Sequence, residues 1–549
     1  MAPTLPPPPK SGHLAWWQTG VIYQIYPRSF GDTTGNGIGD LQGIIDHLDY
    51  LNGETDQSLG VDAIWISPFY PSPMADFGYD VADYCDIEPL FGDLATLDRL
   101  IAEAHAREIR VVIDYVPNHS SDQHPWFIES RSSRDNPKRD WYIWSDGRPD
   151  GSLPNNWGSP FGGPAWTLDP PTGQFYLHQF LPEQPELNWR EPDLVAAMLE
   201  VLRFWLDRGV DGFRMDVVGM IIKDADLRDN PPNPTADPTL HTDDIFGRQL
   251  HVFNEDQDDV HEVIRMFRSV LDEYSDRVAI GELGYGMSRW VRYYGTDGDG
   301  LHLPFNFRLM HTPWEAGAIR RSVEKLEATL PSWAWPSYVL GSHDAPRLAS
   351  RIGAAQARVA AMLLLTLRGT PTLYQGDELG IENGMILPDQ LQDPQGLRLG
   401  MDRSRDPSRT PMQWDAGPHA GFSTTESWLP LSADHRIRNV ATQAEDPTSM
   451  LTLYRCLLEY RRSTQALTVG RYESVPNGRD NECFTFRRRH LDSDRLVALN
   501  LTGEEHRLSI PDDRHASIEL STHLDRLGSI ALHDFTLRPD EGVIIEVER

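Results

Sequence analysis

The feature that most constrains the fold of this chain is a regular alternation of short apolar stretches with amphipathic helical ones. The helical stretches carry apolar residues at three- and four-residue spacing, which is typical of helices that bury one face. Strands that alternate with helices form parallel sheets. Eight such units predict an α/β fold, a closed (β/α)₈ TIM barrel. The predicted strands are 21–30, 61–68, 110–116, 212–217, 277–283, 301–307, 337–344 and 370–377, and the clearest predicted helices are 93–108, 193–208, 260–274, 319–330 and 354–367.

Three stretches depart from this spacing and predict additions to the barrel. Residues 120–189, rich in Pro, Gly, Asn and Trp, are too long for a loop and predict a subdomain B inserted after the third strand. An irregular subdomain is expected at 378–431, and residues 467–549 change to short alternating strands that predict a C-terminal all-β domain, a β-sandwich. The barrel is thus expected at 13–119 and 190–466, after a Pro-rich, disordered tail at 1–12.

The charge of the chain excludes some partners without selecting a function. Lys and Arg number 50 and Asp and Glu number 82, which gives a net charge of −32. Such a chain repels nucleic acid and anionic membranes, so a small neutral substrate is the better match. The same acidity also serves solubility or adaptation to high salt. The sequence makes no prediction of the oligomeric state.

The cysteines and the N-terminus favour a cytoplasmic location. Cys85, Cys456 and Cys483 are odd in number and lack metal-ligand spacing, so neither a disulfide framework nor a zinc site is expected. The Pro-rich start has no apolar core and is expected to be neither a signal peptide nor an anchor. Apolar runs also stay below the ~18 residues that a membrane span requires.

Polar side chains close four of the predicted strands. In a barrel of this type the active site lies where the strands end, at the C-terminal face. A single aspartate at a strand end is usually a cap on the next helix, but carboxylates from several strands favour a shared site. The residues concerned are Asp114 and His119 after the third strand, Arg214 and Asp216 in the fourth, Glu282 in the fifth, and His343 and Asp344 in the seventh.

Paired carboxyl groups at such a site match the needs of glycoside hydrolysis with retention of configuration. One carboxyl group donates a proton while the other stays ionised and attacks, and the two lie about 5 Å apart. Arg214 precedes Asp216 by two residues on the same strand, so both side chains point to one face. The charge of Arg214 is expected to keep Asp216 ionised.

The segments around these residues are similar to the four signature regions of the α-amylase superfamily, glycoside hydrolase family thirteen, and the resemblance covers nearly the whole chain. Three further motifs resemble the oligo-1,6-glucosidase and α-glucosidase branch: QPELN from Gln184, ADFGYD from Ala75, and RTPMQW from Arg409. The branch usually has Asp where this chain has Glu186.

The resemblance implies a role for each matching residue. Asp216 is expected to be the nucleophile, Glu282 the general acid/base, and Asp344 the third carboxylate, which grips the sugar hydroxyls and stabilises the transition state. Asp76 and Arg409 resemble the pair that closes the pocket around the non-reducing end, which makes the enzyme exo-acting. The other expected substrate-binding residues are Tyr79 beneath the sugar, His119 and His343 as its hydrogen-bond partners, Phe161 and Phe180 as pocket walls, Gln184 in its motif, Arg214 beside the nucleophile, and Val217 near the aglycone.

The loop from Asp32 to Asp40 resembles the small metal loop of the family. The resemblance implies a single structural Ca²⁺ or Mg²⁺, because oxygen ligands at alternate positions suit hard cations. Thr34 and Asn36 stand where the family has Asn and Asp, so one charge is missing. The alternative is a Gly-rich turn without a metal, and no organic cofactor is expected. The implied ligands are Asp32, Thr34, Asn36, Ile38 and Asp40.

The leading hypothesis is an exo-acting retaining α-glucosidase that removes terminal α-linked glucose from isomaltose- or maltose-type oligosaccharides, and from sucrose, with some transglucosylation. An α-glucosyl transferase or isomerase of the same family is the alternative. In the resembling branch, Val after the nucleophile accompanies α-1,6 activity, and here that residue is Val217. Non-catalytic heavy chains of amino-acid transporters also resemble this fold, but they carry a membrane helix and often lack catalytic residues. The three carboxylates of this chain disfavour that hypothesis.

Overall fold

A nearly closed barrel of parallel strands lies at the centre of the chain, whose residues 14–55 and 57–548 are described by a computed structural model. Within these residues the barrel has eight strands in the hydrogen-bonded order β7-β8-β1-β2-β3-β4-β5-β6. Between β6 and β7, Ser337 Oγ donates to the carbonyl of Pro304 at 2.8 Å. The strands are β1 (Ile22–Ile25), β2 (Ala63–Ile66), β3 (Arg110–Tyr115), β4 (Gly212–Met215), β5 (Val278–Gly281), β6 (Leu303–Pro304), β7 (Ser337–Val339) and β8 (Thr370–Tyr374).

The predicted barrel is therefore confirmed, although each strand is shorter than the apolar run that predicted it. The strands are buried on both faces, as expected of parallel strands covered by helices. Their register aligns Asp114 of β3 with Arg214 of β4, so these two side chains project to the same side of the sheet. Gly212 allows β4 to approach β5 closely, since a Cβ atom there would lie 2.4 Å from the carbonyl oxygen of Val278.

Helices surround the barrel and begin at well-defined caps. The carboxylate of Asp93 accepts from the backbone N–H of Thr96, and Glu191 caps a helix that has Pro192 in its first turn. The longer helices are Leu94–Ala106, Pro192–Asp207, Val260–Leu271, Ala316–Thr329, Ala354–Thr366 and Met450–Ser463. The shorter α-helices are Trp16–Thr19, Leu41–Ile45, Leu48–Leu51, Pro125–Ser132, Met287–Trp290, Arg308–His311, Leu348–Ile352, Pro394–Leu399, Val440–Ala444 and Gln465–Val469. Turns of 3₁₀-helix lie at Pro27–Ser29, Arg139–Trp141, Val218–Met220, Phe246–Arg248, Val291–Tyr294, Asp377–Leu379, Met401–Arg403 and Asp406–Ser408.

The long segment after β3 folds over the C-terminal end of the barrel. It contains a small antiparallel sheet of Trp144–Ser145, Gln174–Leu177 and Trp166–Asp169, in that spatial order. Trp157 packs with Trp166 of this sheet in an apolar cluster that is separate from the main core. An isolated bridge between His119 and Glu186 ties the end of the segment to the residues that follow β3. The inserted segment therefore reaches the end of the barrel where the candidate active-site residues lie.

The C-terminal domain is all-β. Its larger sheet has the order β9-β10-β11-β16-β13-β14, and a second sheet pairs β12 with β15. Side chains such as Leu508 and Phe535 of the second sheet pack against Leu496 and Ile545 of the first. The strands are β9 (Arg471–Ser474), β10 (Cys483–His490), β11 (Ser493–Asn500), β12 (His506–Leu508), β13 (Ala516–Ser521), β14 (Gly528–Ile530), β15 (Phe535–Leu537) and β16 (Gly542–Val547).

Two buried arginines, Arg461 of the helix Met450–Ser463 and Arg488 of the C-terminal domain, bind the end of one barrel helix. Arg461 donates to the carbonyls of Leu365 at 2.9 Å and Gly369 at 2.8 Å. Arg488 of β10 donates to the carbonyls of Thr366 and Gly470. These bonds satisfy carbonyl groups at and just after the C-terminal end of the helix Ala354–Thr366.

The predicted tail at 1–12 lies outside the described residues. Among the residues that are described, no helix combines the length and the apolar character needed to cross a membrane.

Candidate active site

Three carboxylates surround the guanidinium of Arg214 at the C-terminal end of the barrel. Arg214 Nη1 donates to Asp114 Oδ1 at 2.6 Å and to Asp216 Oδ1 at 2.8 Å, while Nη2 donates to Glu282 Oε2. Arg214 is 1% exposed and its guanidinium lies 5.0 Å from the ring centroid of Trp65. Asp216 and Glu282, predicted from separate strands, therefore share one cation.

Burial and charge act in opposite directions on these carboxyl groups. The pKa of Asp216 is raised well above its usual range, because burial and the charges of Glu282 and Asp114 outweigh the lowering by Arg214, so the expectation that Arg214 keeps Asp216 ionised is not confirmed. Burial also raises the pKa of Asp114 to about 6 although Arg214 opposes the rise. Glu282 has the most solvent-accessible side chain of these four residues, at 22% exposure. The most accessible carboxyl group is thus the one that the sequence predicted as the general acid/base.

The backbone of Val217 also binds Glu282. Its N–H donates to Glu282 Oε2 at 3.1 Å. Val217 has a φ of 34° and a ψ of 41°, in the left-handed region, which a β-branched residue rarely adopts. This strain, about 1–3 kcal/mol for such a residue, lies immediately after Asp216 and points the amide at the second carboxylate.

His343, Tyr79 and Asp344 form the wall beside these carboxylates. The rings of Tyr79 and His343 stack at 5.7 Å with an interplanar angle of 4°. His343 Nε2 lies 2.8 Å from Tyr79 Oη and 3.2 Å from Asp344 Oδ2, and Nδ1 lies 2.7 Å from Gln24 Nε2. Burial lowers the pKa of His343 to about 3, so the ring is neutral near pH 7 and donates from one nitrogen only.

Two arginines, Arg405 and Arg409, reach Asp344. Arg409 Nη2 donates to Asp344 Oδ1 at 2.7 Å, and Arg405 Nη1 lies 3.5 Å from the same oxygen. Burial acts to raise the pKa of Asp344, but His343, Arg409 and Arg405 hold that pKa well below its usual range. Asp344 is therefore ionised across the physiological pH range.

The predicted pairing of Asp76 with Arg409 is wrong. Asp76 Oδ1 accepts from Arg405 Nη2 at 2.8 Å, whereas Arg409 Nε is bound to the carbonyl of His343 at 2.9 Å. Arg405 precedes Arg409 by four residues, with Asp406–Ser408 as a 3₁₀ turn between them. This turn directs the first arginine at Asp76 and the second at the end of β7. Both arginines still border Asp344, and Arg405 is the one that spans the cavity end.

The remaining predicted pocket residues complete a continuous network of contacts. Gln184 Nε2 lies 3.2 Å from Asp76 Oδ2 and 3.0 Å from His119 Nε2. The His119 ring is 5.1 Å from Phe180, which is 5.4 Å from Phe161. The guanidinium of Arg405 lies 4.8 Å above the Phe161 ring. All residues predicted as catalytic or substrate-binding therefore meet at one end of the barrel.

Lys223 and Glu186 form a buried ion pair that was not predicted from the sequence and that contacts this network through Asn118. Lys223 Nζ contacts Glu186 Oε2 and donates to Asn118 Oδ1 at 2.9 Å. Asn118 Nδ2 donates to Glu186 Oε1 at 2.8 Å and lies 3.1 Å from His119 Nδ1. Burial lowers the pKa of His119 to about 3, with a contribution from the charge of Lys223. The position of Glu186 in the QPELN motif indicated its importance, but Lys223 lies in no motif that we recognised.

The Asp32–Asp40 loop does not fit the predicted cation as it stands. Asp32 Oδ1 accepts from the N–H groups of Thr34 and Gly35 at 3.0 and 2.8 Å, and Oδ2 from Gly37 N and Ser423 Oγ at 2.7 and 2.6 Å. Asn36 Oδ1 accepts from Ile38 N, and the two oxygens of Asp40 accept from Gly43 N and Thr33 N. The carboxylate and amide oxygens that would bind a metal thus already bind protein donors. The loop closes as a turn through these hydrogen bonds.

The arrangement is suited to nucleophilic displacement at a sugar. One buried carboxylate and one accessible carboxyl group share a guanidinium, which matches the paired carboxyl groups of retaining glycosidases. Asp344, Asp76, His119 and His343 offer acceptors and donors around a cavity lined by Tyr79 and two phenylalanines. Polar groups for several hydroxyls beside aromatic faces are the requirements of a pyranose site.

Comparisons with known proteins agree with this chemistry. The family profile described as "Alpha amylase, catalytic domain" matches residues 24–470. A probable alpha-glucosidase of Rhizobium meliloti (strain 1021) is 42% identical over 520 residues, which cover 92% of this chain and 92% of the relative. An oligo-1,6-glucosidase of Heyndrickxia coagulans is 38% identical over 538 residues, which cover 91% of this chain and 94% of the relative.

Among solved structures, the alpha-glucosyl transfer enzyme XgtA has a TM-score of 0.89 and 41% identity to this chain, covering 98% of this chain and 100% of that one. Fold, site and relatives all agree with the resemblance predicted from the sequence motifs. The chain therefore belongs to the α-amylase family, glycoside hydrolase family thirteen, in its oligo-1,6-glucosidase and α-glucosidase branch, and it is a glycoside hydrolase.

Proposed function

We propose that the protein is an exo-acting, retaining α-glucosidase that releases terminal, non-reducing α-linked glucose from small oligosaccharides. The observation that carries this proposal is the closed end of the cavity. Arg405 joins Asp76 to Asp344, and Gln184 joins Asp76 to His119, so charged side chains cross the end of the pocket. We propose that these joined side chains block a longer chain of sugars on that side, so that the site takes one terminal residue.

In the proposed reaction Asp216 attacks the anomeric carbon and forms a glycosyl-enzyme, while Glu282 gives its proton to the departing oxygen. Glu282 then takes a proton from water, which attacks the same carbon and releases glucose. Arg214 supports both steps because it contacts Asp216 and Glu282 with different nitrogens. Two inversions at one carbon retain the α configuration. A sugar hydroxyl in place of water gives transglucosylation.

The residues around the closed end support recognition of a glucose unit. Asp344 and Asp76 are acceptors for hydroxyl groups, and both border Arg405. His119 and His343 are buried and neutral, so each offers one donor and one acceptor. These groups remain near a glycosyl-enzyme after the aglycone has left. They therefore suit the terminal sugar, whatever its linkage.

Val217 carries the proposal about linkage. In the resembling branch Val at this position accompanies α-1,6 activity, and its side chain is expected on the aglycone side. A change of one methyl group in a pocket shifts discrimination by only ~1–3 kcal/mol. We therefore expect hydrolysis of isomaltose, alongside maltose and sucrose, rather than a strict preference.

A dedicated glucosyl transferase or isomerase is the second candidate. The solved structures to which this chain is similar include both an alpha-glucosyl transfer enzyme and the trehalulose synthase MutB, with TM-scores of 0.89 and 0.88, so they do not favour either member of that pair. The first half of the reaction is common to all three activities, since each forms a glycosyl-enzyme at Asp216. They differ only in the acceptor that reaches the anomeric carbon. Product identity therefore separates them.

The proposal also includes a reducing, cytoplasmic setting. Cys85, Cys456 and Cys483 are all free thiols. Burial raises the pKa of Cys483 to about 12 and that of Cys85 to about 11, so neither thiol is reactive near neutral pH. Unpaired, protonated thiols match a compartment that keeps cysteines reduced.

The test is a panel of maltose, isomaltose, sucrose, trehalose and a nitrophenyl α-glucoside, with products followed over time. Glucose should accumulate as the main product, and the first anomer released should be α-glucose by proton NMR. The Asp216→Asn variant is the matched control for contaminating activity. Accumulation of disaccharide isomers or longer glucosides with little free glucose would establish the second candidate. Initial release of β-glucose would exclude the double displacement.

A further inference from the structure

The carboxylate of Asp393 binds Arg405, the arginine that joins Asp76 to Asp344. Asp393 Oδ1 accepts from Arg405 Nε at 3.0 Å and from Nη2 at 2.6 Å, and Oδ2 accepts from the backbone N–H of Arg405 at 2.8 Å. Both side chains are buried, with exposures of 0% for Asp393 and 10% for Arg405. A charge-assisted, two-pronged contact of this kind fixes both the position and the plane of a guanidinium.

Asp393 occupies a helix N-cap position, but its side chain does not cap the helix. It is the N-cap residue of the helix Pro394–Leu399, a position where aspartate usually accepts from the first turn of the helix. Its side chain makes no such capping bond and turns to Arg405 instead. In return, Asp406 Oδ2 accepts from the backbone N–H groups of Gln392 and Asp393 at 2.7 and 3.0 Å. Residues 392–393 and residues 405–406 are thus bound to each other by hydrogen bonds in both directions.

The rest of Arg405 faces the cavity. Nη2, which Asp393 holds, is also the atom that donates to Asp76 at 2.8 Å. Nη1 lies 3.5 Å from Asp344, and the guanidinium covers the ring of Phe161 at 4.8 Å. Without Asp393 the guanidinium loses its contact at Nε and one of its two partners at Nη2. Asp76 and the more distant Asp344 then remain as its charged partners, and both are groups that a sugar hydroxyl would engage.

We propose that Asp393 is the positioning residue that holds Arg405 across the end of the cavity and thereby sets the affinity for the terminal sugar. This inference rests on the proposed function, because it assigns the Arg405 wall to the non-reducing end. Asp393 touches neither the substrate nor the reacting atoms. Its effect passes through Arg405, which binds the terminal sugar equally before and during the displacement.

The test compares Asp393→Asn and Asp393→Ala with Asp389→Asn, an exposed aspartate of the same loop. With a nitrophenyl α-glucoside, the Asp393 variants should raise KM about tenfold and leave kcat within about threefold, the signature of lost uniform binding. The affinity for free glucose, measured by calorimetry, should fall by a similar factor. Asp389→Asn should match the wild type. Thermal unfolding of Asp393→Asn, which keeps the shape of the side chain, shows whether the fold is intact.

A double variant makes the mechanism specific. If Asp393 acts only through Arg405, then Asp393→Ala should add nothing to the KM of Arg405→Ala. Unchanged KM and glucose affinity in both Asp393 variants, or an equal loss in the Arg405→Ala background, would overturn the inference. A wild type that turns over no α-glucoside of the panel would refute the proposed function instead, and glucose calorimetry on the same variants would still decide the role of Asp393.

Discussion

Replacing Lys223 with methionine removes one partner of the buried pair behind the active site. Lys223 is 2% exposed in its side chain and Glu186 is 0% exposed. After the change, Glu186 keeps the donors Asn118 Nδ2 at 2.8 Å and Gln179 N at 3.0 Å but loses its only cationic partner among the described residues. Breaking a buried ion pair from one side costs about 3–5 kcal/mol, because a charge stays buried without compensation.

Differential scanning calorimetry measures this loss. With about 2.1 cal/mol/K of unfolding entropy per residue, a loss of about 4 kcal/mol lowers the Tm by roughly 3–4 °C if the chain unfolds as one unit. Lys325→Met, at an exposed position, is the matched control and should change the free energy of unfolding by less than about 0.5 kcal/mol.

The double variant Lys223→Met with Glu186→Gln separates the lost attraction from the stranded charge. It should be more stable than Lys223→Met alone, since the uncompensated carboxylate is gone and the amide retains its hydrogen bonds to Asn118 and Gln179. If Lys223→Met costs less than about 1 kcal/mol, or if the double variant is less stable than the single one, then the pair is not the electrostatic unit described above.

Four further predictions concern catalysis, linkage, pH and metal. Asp216→Asn and Glu282→Gln should each remove most turnover of maltose and isomaltose with little change in Tm. Glu282→Gln should still form a glycosyl-enzyme from glucosyl fluoride, because that leaving group needs no proton. Normal maltose turnover by Glu282→Gln would contradict the assignment. Val217→Thr should shift the ratio of kcat/KM toward α-1,4 substrates by a factor that corresponds to ~1–3 kcal/mol, and a wild type that cleaves maltose but not isomaltose would remove the basis of this prediction. Burial lowers the pKa values of His119, His124, His302 and His343 to about 3, so below about pH 6.5 these histidines take up protons in the unfolded chain but not in the folded one. Their contribution to stability is complete above pH 6.5, and the Tm should fall as the pH drops from 6.5 toward 3. A rise in Tm over this range would contradict their neutrality. Because protein donors already bind the oxygens of the Asp32–Asp40 loop, EDTA or added Ca²⁺ should change the Tm by less than about 1 °C, and a larger, saturable rise with Ca²⁺ would show that the loop rearranges to bind it.

The barrel and the group of carboxylates at its end could be predicted because both depend on local patterns. Apolar runs of strand length mark β1 to β8, and the polar residues that end them necessarily meet at one face of a parallel barrel. The ends of the strands were less predictable. The run at 301–307 contains only the short strand Leu303–Pro304, although Phe305 is buried and its backbone N–H donates to the carbonyl of Gly281 in β5.

The choice between Arg405 and Arg409 could not be made from the sequence. Arg405 lies only four residues before the RTPMQW motif, and the directions of both arginines depend on the turn at Asp406–Ser408 and, for Arg405, on the contact with Asp393, which is twelve residues away. The left-handed backbone of Val217 was equally hidden, since a β-branched residue gives no local signal for that conformation. The donor and acceptor pattern of the Asp32–Asp40 loop was ambiguous for the same reason. Oxygens spaced for a cation are also spaced for the N–H groups of a tight turn.

The two arginines that bind the end of the helix Ala354–Thr366 lie late in the chain, and this affects how a nascent chain folds. The last two carbonyls before the end of the helix Ala354–Thr366 receive their donors from Arg461 and Arg488, which are synthesised about a hundred residues later. A nascent chain that has completed β8 therefore still lacks the groups that finish this helix, and it exposes the surface that β10 and β11 will cover. We therefore expect chains that terminate before Arg488 to be substrates for proteolysis rather than stable shorter enzymes.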